Sequence, residues 1–163
     1  MTVSTDLSQC YATGVALGTP ATSDNSGGIV TVWNNAPAQF NKGVTTVTWT
    51  AQDPSGNTAT CAQTVTVRDT QPPTITCPTD VTVSVRVGCM ASNVDLGSPV
   101  TGDNCGVASV VNNAPAAYSL GTTVVTWTVT DGSGNVATCT QRVIVRDTTP
   151  PTTIAPPNVI IHL

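Results

Sequence analysis

The stretch GVTTVTWTAQDPSGNTATCAQTVTVRD, residues 43–69, decides the fold because it recurs as GTTVVTWTVTDGSGNVATCTQRVIVRD, residues 121–147, at a constant offset of 78. Each copy opens with strict alternation. Val47, Trp49 and Ala51 share one face, as do Val125, Trp127 and Val129, while threonines fill the other. A period of two with one apolar face is a half-buried β-strand. The following DPSGN and DGSGN supply a tight turn, since Asp and Asn bond the local backbone and Gly accepts positive φ. A second alternating strand then carries Cys61 or Cys139.

The repeat extends outward. VWNNAP (residues 32–37) matches VVNNAP (110–115) at the same offset, and SDNSGG (23–28) matches GDNCG (102–106) with one residue gained or lost. Short strands between Pro, Gly and Asn turns, with no helical apolar stripe, predict an all-β chain of two tandem antiparallel β-sandwiches. The expected organisation is a sandwich over 1–69, a second over 70–147, and a tail over 148–163. The paired prolines of RDTQPP predict a short, stiff junction.

Charged residues make up only 9% of the chain, with a net charge of −4 and a pI near 4.4. Nothing in this balance can neutralise a run of phosphates, which excludes a nucleic-acid partner. No apolar run suits membrane insertion. His162 is the only histidine, and the serine of DGSGN lies in a repeated turn with no histidine to activate it, so an enzyme is not expected. The six cysteines show no metal-ligand spacing. In a Thr-, Gly- and Pro-rich chain they read as disulfides formed in an oxidising compartment.

Taken in order, PPTITCP, the GC twelve residues after Cys77, DNC, the GTTVVTWTVTDGSGNVATC run and VIVRD resemble the hyalin repeat (HYR) family. The second copy carries four cysteines at these motifs, and the first carries two. Gln63 and Gln141 depart from the large apolar residue usual two positions past the strand cysteine, and Ser26 replaces the cysteine of DNC. The resemblance implies immunoglobulin-like sandwiches in tandem arrays of extracellular or cell-surface proteins, without catalysis.

Repeat equivalence then suggests a disulfide pattern. The first copy keeps only Cys10 and Cys61, which predicts Cys10–Cys61, Cys89–Cys139 by equivalence, and Cys77–Cys105 as the remainder. The tail from Pro150 aligns with the opening of the second copy, with Ala155 on Cys77, Val159 on Val81 and Ile161 on Val83. It reads as an extra β-strand. The resulting expectation is a filament subunit whose C-terminal strand (Val159, Ile160, Ile161) completes the N-terminal sandwich of the next copy, head to tail, with Ala155 beside Ser26. The alternative is a spacer or adhesion module from a longer array, with other surface proteins or glycans as partners. Trp33, replaced by Val111 in the second copy, is a candidate surface contact or, equally, a substitution within the core. No cofactor is required. Calcium is the ion that the loop oxygens of Asp24–Asn25, Asp53, Asp69, Asp103–Asn104, Asp131 and Asp147 suit, although the absence of a dense acidic run favours simple turn caps.

Overall fold

A computed structural model describes residues 1–25 and 27–155; Ser26, Val159, Ile160 and Ile161 lie outside the described residues. The described chain is all-β, as immunoglobulin-like sandwiches in tandem. No helix in it is long and apolar enough to cross a membrane.

The first copy comprises β1 (Thr2–Ser4), β2 (Tyr11–Thr13), β3 (Thr31–Asn34), β4 (Gln39–Asn41), β5 (Gly43–Gln52) and β6 (Thr58–Arg68). A four-stranded sheet in the order β1-β6-β5-β3 faces a two-stranded sheet of β2 and β4. The long β5–β6 hairpin is the quoted stretch, in register from Gly43 opposite Val67 to Gln52 opposite Thr58. Its alternation sends Val47, Trp49, Val65 and Val67 inward to meet Ala12 and Phe40 of the smaller sheet. Burying each such side chain is worth roughly 1.5–3 kcal/mol, so a few valines around one indole carry this lean core.

The second copy comprises β7 (Thr74–Thr76), β8 (Val81–Val85), β9 (Met90–Ser92), β10 (Val100–Gly102), β11 (Val107–Asn112), β12 (Ala117–Ser119), β13 (Gly121–Asp131) and β14 (Val136–Asp147). Its main sheet runs β11-β13-β14-β8, with β12-β9 and β10-β7 as two-stranded sheets. Val125, Trp127, Val143 and Val145 repeat the buried set of the first copy, Val129 is buried where Ala51 is half-buried, and Tyr118 takes the place of Phe40.

The sandwiches are not wholly antiparallel. β1 lies parallel to β6 and β8 lies parallel to β14. In the second copy the chain leaves β7, which pairs antiparallel with β10, and enters the main sheet at its edge as β8. Such a sheet-switching strand takes whatever direction its approach dictates.

Packing divides the chain into two compact units that do not follow the repeat boundary. One comprises Met1–Thr76, Val100–Val111 and Thr128–Thr138, and so holds the first copy together with one set of loops from the second. The other comprises Cys77–Pro99, Asn112–Trp127 and the segment beginning at Cys139.

The disulfide pattern corrects the sequence reading. Cys10 is bonded to Cys105 and Cys77 to Cys139, with Cα–Cα distances of 4.8 and 5.7 Å. Cys61 and Cys89 are free and exposed. Repeat equivalence assumed that bonds stay within a copy. The strand cysteine instead meets the cysteine just past β7, and Cys10 meets the DNC loop that packs in its own unit.

Candidate functional site: an aspartate cluster and an open groove

Asp53 and Asp131 occupy the same turn in the two copies. In each, one carboxylate oxygen accepts the backbone N–H of the asparagine four residues on and the other accepts its side-chain amide, Asn57 at 2.8 and 2.7 Å and Asn135 at 2.8 and 2.7 Å. The glycines demanded by this turn, Gly56 and Gly134, have φ of 90° and 89°. Asn57 holds the Asp53 carboxyl below its ordinary range, chiefly through the side-chain hydrogen bond. Burial pushes the Asp131 carboxyl up, but donors from Asn135, Ser133 and Gly134 together outweigh it and hold the group low.

The surroundings of the two turns differ. Asp131 is 2% exposed and Asp69 is 6% exposed. Carboxylate oxygens of Asp69, Asp103 and Asp131 lie within 4.8 Å of one another. Asp69 stands just past β6, where it accepts from Gln71 N–H at 3.1 Å and Ser133 Oγ at 3.2 Å. Asp103 sits between β10 and β11, and its Oδ1 accepts the Cys105 N–H at 2.8 Å. The Cys10–Cys105 bond and the Asn104 amide, which donates to the Gln9 carbonyl at 2.7 Å, fix that loop in place. The Asn135 amide nitrogen also lies 3.3 and 3.2 Å from the carbonyls of Asp69 and Gln71. Of the candidate calcium ligands, the structure therefore gathers these three. Asp53 holds its own turn, and Asp147 caps Thr149 N–H at 2.8 Å.

A second feature flanks Trp49. A groove of about 230 Å³ is lined by Pro20, Ala21, Thr22, Ser23, Trp49 and Cys61, among others. In the second copy, β7 runs along β10, the counterpart of residues 21–23, and Cys77 closes onto Cys139, the counterpart of Cys61. Among the described residues, no strand pairs with residues 21–23.

The two unexpected glutamines support the tryptophans. Trp49 Nε1 donates to Gln63 Oε1 at 2.9 Å, and Trp127 Nε1 donates to Gln141 Oε1 at 3.1 Å. Gln141 is fully buried and donates to the carbonyls of Thr79 and Leu96 at 2.7 and 3.0 Å. Gln63 reaches the Leu17 carbonyl at 3.0 Å. The sequence signal was available. Gln63 pairs with Val47 across the hairpin, one diagonal step from Trp49, and an indole N–H in a core needs an acceptor.

The proposed strand-exchange contacts change. With Cys77 on Cys139, Ala155 has Cys61 as its counterpart, not Ser26. The edge assigned to Val159, Ile160 and Ile161 is occupied by the chain's own β1, which sets Thr2–Ser4 against Thr66–Arg68 as β8 sets Thr82–Ser84 against Ile144–Arg146. Trp33 is 45% exposed on β3.

Two consecutive segments, residues 8–67 and 68–145, match the profile of the HYR domain. This chain belongs to the HYR domain family. It is similar to hyalin of Lytechinus variegatus, 42% identical over 74 residues, a match covering 42% of this chain and 14% of that protein. It is also similar to hyalin of Strongylocentrotus purpuratus, 42% identical over 81 residues, covering 47% of this chain and 7% of that protein. The chain thus spans a small part of either relative. Among solved structures, a protocadherin gammaB7 EC3-6 cis-dimer matches at TM-score 0.35 and 13% identity over 72% of this chain and 41% of its own. The protocadherin gammaB4 extracellular domain matches at 0.34 and 17%, over 72% and 24%. These scores are too low to say more about this chain. HYR membership and two disulfide bonds place it in an oxidising space, as an extracellular or cell-surface protein.

Proposed function

We propose that this tandem HYR chain is an adhesion-type structural module of an extracellular array, joined head to tail by an extended segment that enters the Trp49 groove of its neighbour. One observation carries the reading: in the second copy β7 pairs with β10 and Cys77 bonds Cys139, whereas in the first copy the counterparts, residues 21–23 and Cys61, line a groove with no such strand or bond among the described residues. Main-chain pairing to an open edge supplies affinity, and a head-to-tail contact that does not close propagates. The segment Pro151–Ala155 (PTTIA) aligns with Pro73–Cys77 (PTITC) at the offset of 78, with Thr153 on Ile75 and Ala155 on Cys77, and a second copy of the chain is the donor. The size of the hyalin relatives favours the same module working within a longer array, which is the second reading.

The test uses Ala155→Cys in the full chain, treated with oxidised glutathione as the oxidant. The new thiol is expected to bond Cys61 of the next copy and give ladders on a non-reducing gel that collapse with reductant. Adding Cys61→Ser should abolish the ladder, and adding Cys89→Ser should leave it. Ladders that persist without Cys61 would contradict the groove. A chain that stays monomeric at every concentration would sink self-assembly and leave the array-module reading in its place.

A further inference from the structure

We propose that Asp69, Asp103 and Asp131 form a binding site for a divalent cation of the calcium class. Carboxylates this close repel one another, and burial removes the water that would screen them. Asp69 and Asp131 are 6% and 2% exposed, and none of the three makes an ion pair among the described residues. The one lysine ammonium, Lys42 Nζ, hydrogen-bonds Ser133 Oγ at 2.7 Å, and that hydroxyl in turn donates to Asp69 Oδ2 at 3.2 Å, so among the described residues the ammonium reaches the cluster only through a neutral hydroxyl. A second, independent observation points to a ligand. Asp103 Oδ2 is buried without a hydrogen-bond partner, whereas its Oδ1 is engaged by Cys105 N–H. A buried anionic oxygen left unpaired is costly unless a positive charge faces it.

The chemistry of the donors selects the ion. All are oxygens, with the carbonyls of Asp69 and Gln71 close to the same Asn135 amide. The nearby Cys105 is committed to a disulfide, so no soft ligand is offered for zinc or copper. Oxygens that lie within 4.8 Å of one another can share one ion, and a mix of carboxylates and carbonyls suits calcium, which takes oxygen ligands in flexible geometry at about 2.3–2.6 Å. Magnesium, at about 2.0–2.1 Å, requires a tighter octahedron. The ligands come from the end of β6, the β10–β11 loop and the β13–β14 turn, so the ion would tie three loops of one compact unit together.

The experiment is titration of the EDTA-treated full chain with calcium chloride to about 10 mM, about ten times the weakest Kd (~1 mM) of extracellular calcium modules, followed by calorimetry and thermal melting. Calcium is expected to bind at one site and raise Tm, with magnesium at least about tenfold weaker. Asp103→Asn keeps an oxygen able to accept from Cys105 N–H but removes the unpaired charge. It should weaken calcium by about tenfold or more, and it should raise the Tm of the calcium-free protein, because repulsion is relieved. Asp53→Asn, in the equivalent turn outside the cluster, should leave calcium binding unchanged. No heat of binding and no calcium-dependent Tm in the wild type would overturn the site. So would an Asp103→Asn variant that binds as tightly as wild type.

Discussion

The two copies share the Trp-bearing hairpin, the turn and the buried valines, yet they differ in how each tryptophan is enclosed. In the second copy β7 lies along β10, Cys77 locks onto Cys139, and Gln141 ties the Trp127 indole to two backbone carbonyls. Around Trp49 the corresponding side is a groove with the thiol of Cys61 in its wall. Both indoles are 7% exposed, so the difference lies in what restrains the neighbours, not in burial of the ring. One core motif is thus built with the strand and bond of Cys77 in one copy and without them in the other.

The largest expected effect comes from the tryptophans themselves. Trp127→Ala should cost about 3–5 kcal/mol in urea denaturation, as for large core truncations. Trp49→Ala should cost less, because the open groove lets its surroundings collapse. Equal costs would mean that the groove is already rigid without a strand, and the contrast drawn between the copies would fall.

Next come the cysteines. Cys139→Ser breaks a bond spanning a sequence separation of 62 and should cost about 2–4 kcal/mol. Cys61→Ser, at the equivalent position, should leave the stability of the purified chain within about 0.5 kcal/mol, as for surface changes. Peptide mapping without reductant gives a direct check. A Cys10–Cys61 or Cys89–Cys139 peptide would restore the pairing expected from repeat equivalence.

The smallest effect separates the two turns by pH. The Asp131 carboxyl is held below its ordinary value of 3.8 in the folded chain. A depressed group contributes stability that is present above the unfolded value and is lost as pH falls through the folded one. In EDTA, wild-type urea midpoints should therefore drop below about pH 4, and Asp131→Asn should flatten that acid limb. The Asp53 carboxyl is depressed in the same direction by Asn57. Asp53→Asn should flatten the limb less, because that turn supports only itself. An unchanged limb in the Asp131 variant would remove this turn from the account of acid stability.

Several of these features follow from the sequence alone. Alternation in residues 43–52 and 121–131, with Asp, Gly and Asn at fixed turn positions, depends on local sterics and local hydrogen bonds, so strands, hairpins and repeat period could be read directly. The replacement of Trp33 by Val111 fits a core substitution as well as a surface anchor, so the 45% exposure of this ring was not legible in the sequence. Tertiary structure decided what those elements meet. The partners of Cys10 and Cys139, the parallel edges at β1 and β8, and the gathering of Asp69, Asp103 and Asp131 all join residues from separate loops. Sequence periodicity ranks residues by face, but it carries no record of which loop closes on which. That choice is made by the path of short strands between sheets. It left Cys61 open where Cys139 is bonded, and it placed Asp131 among carboxylates where Asp53 stands apart.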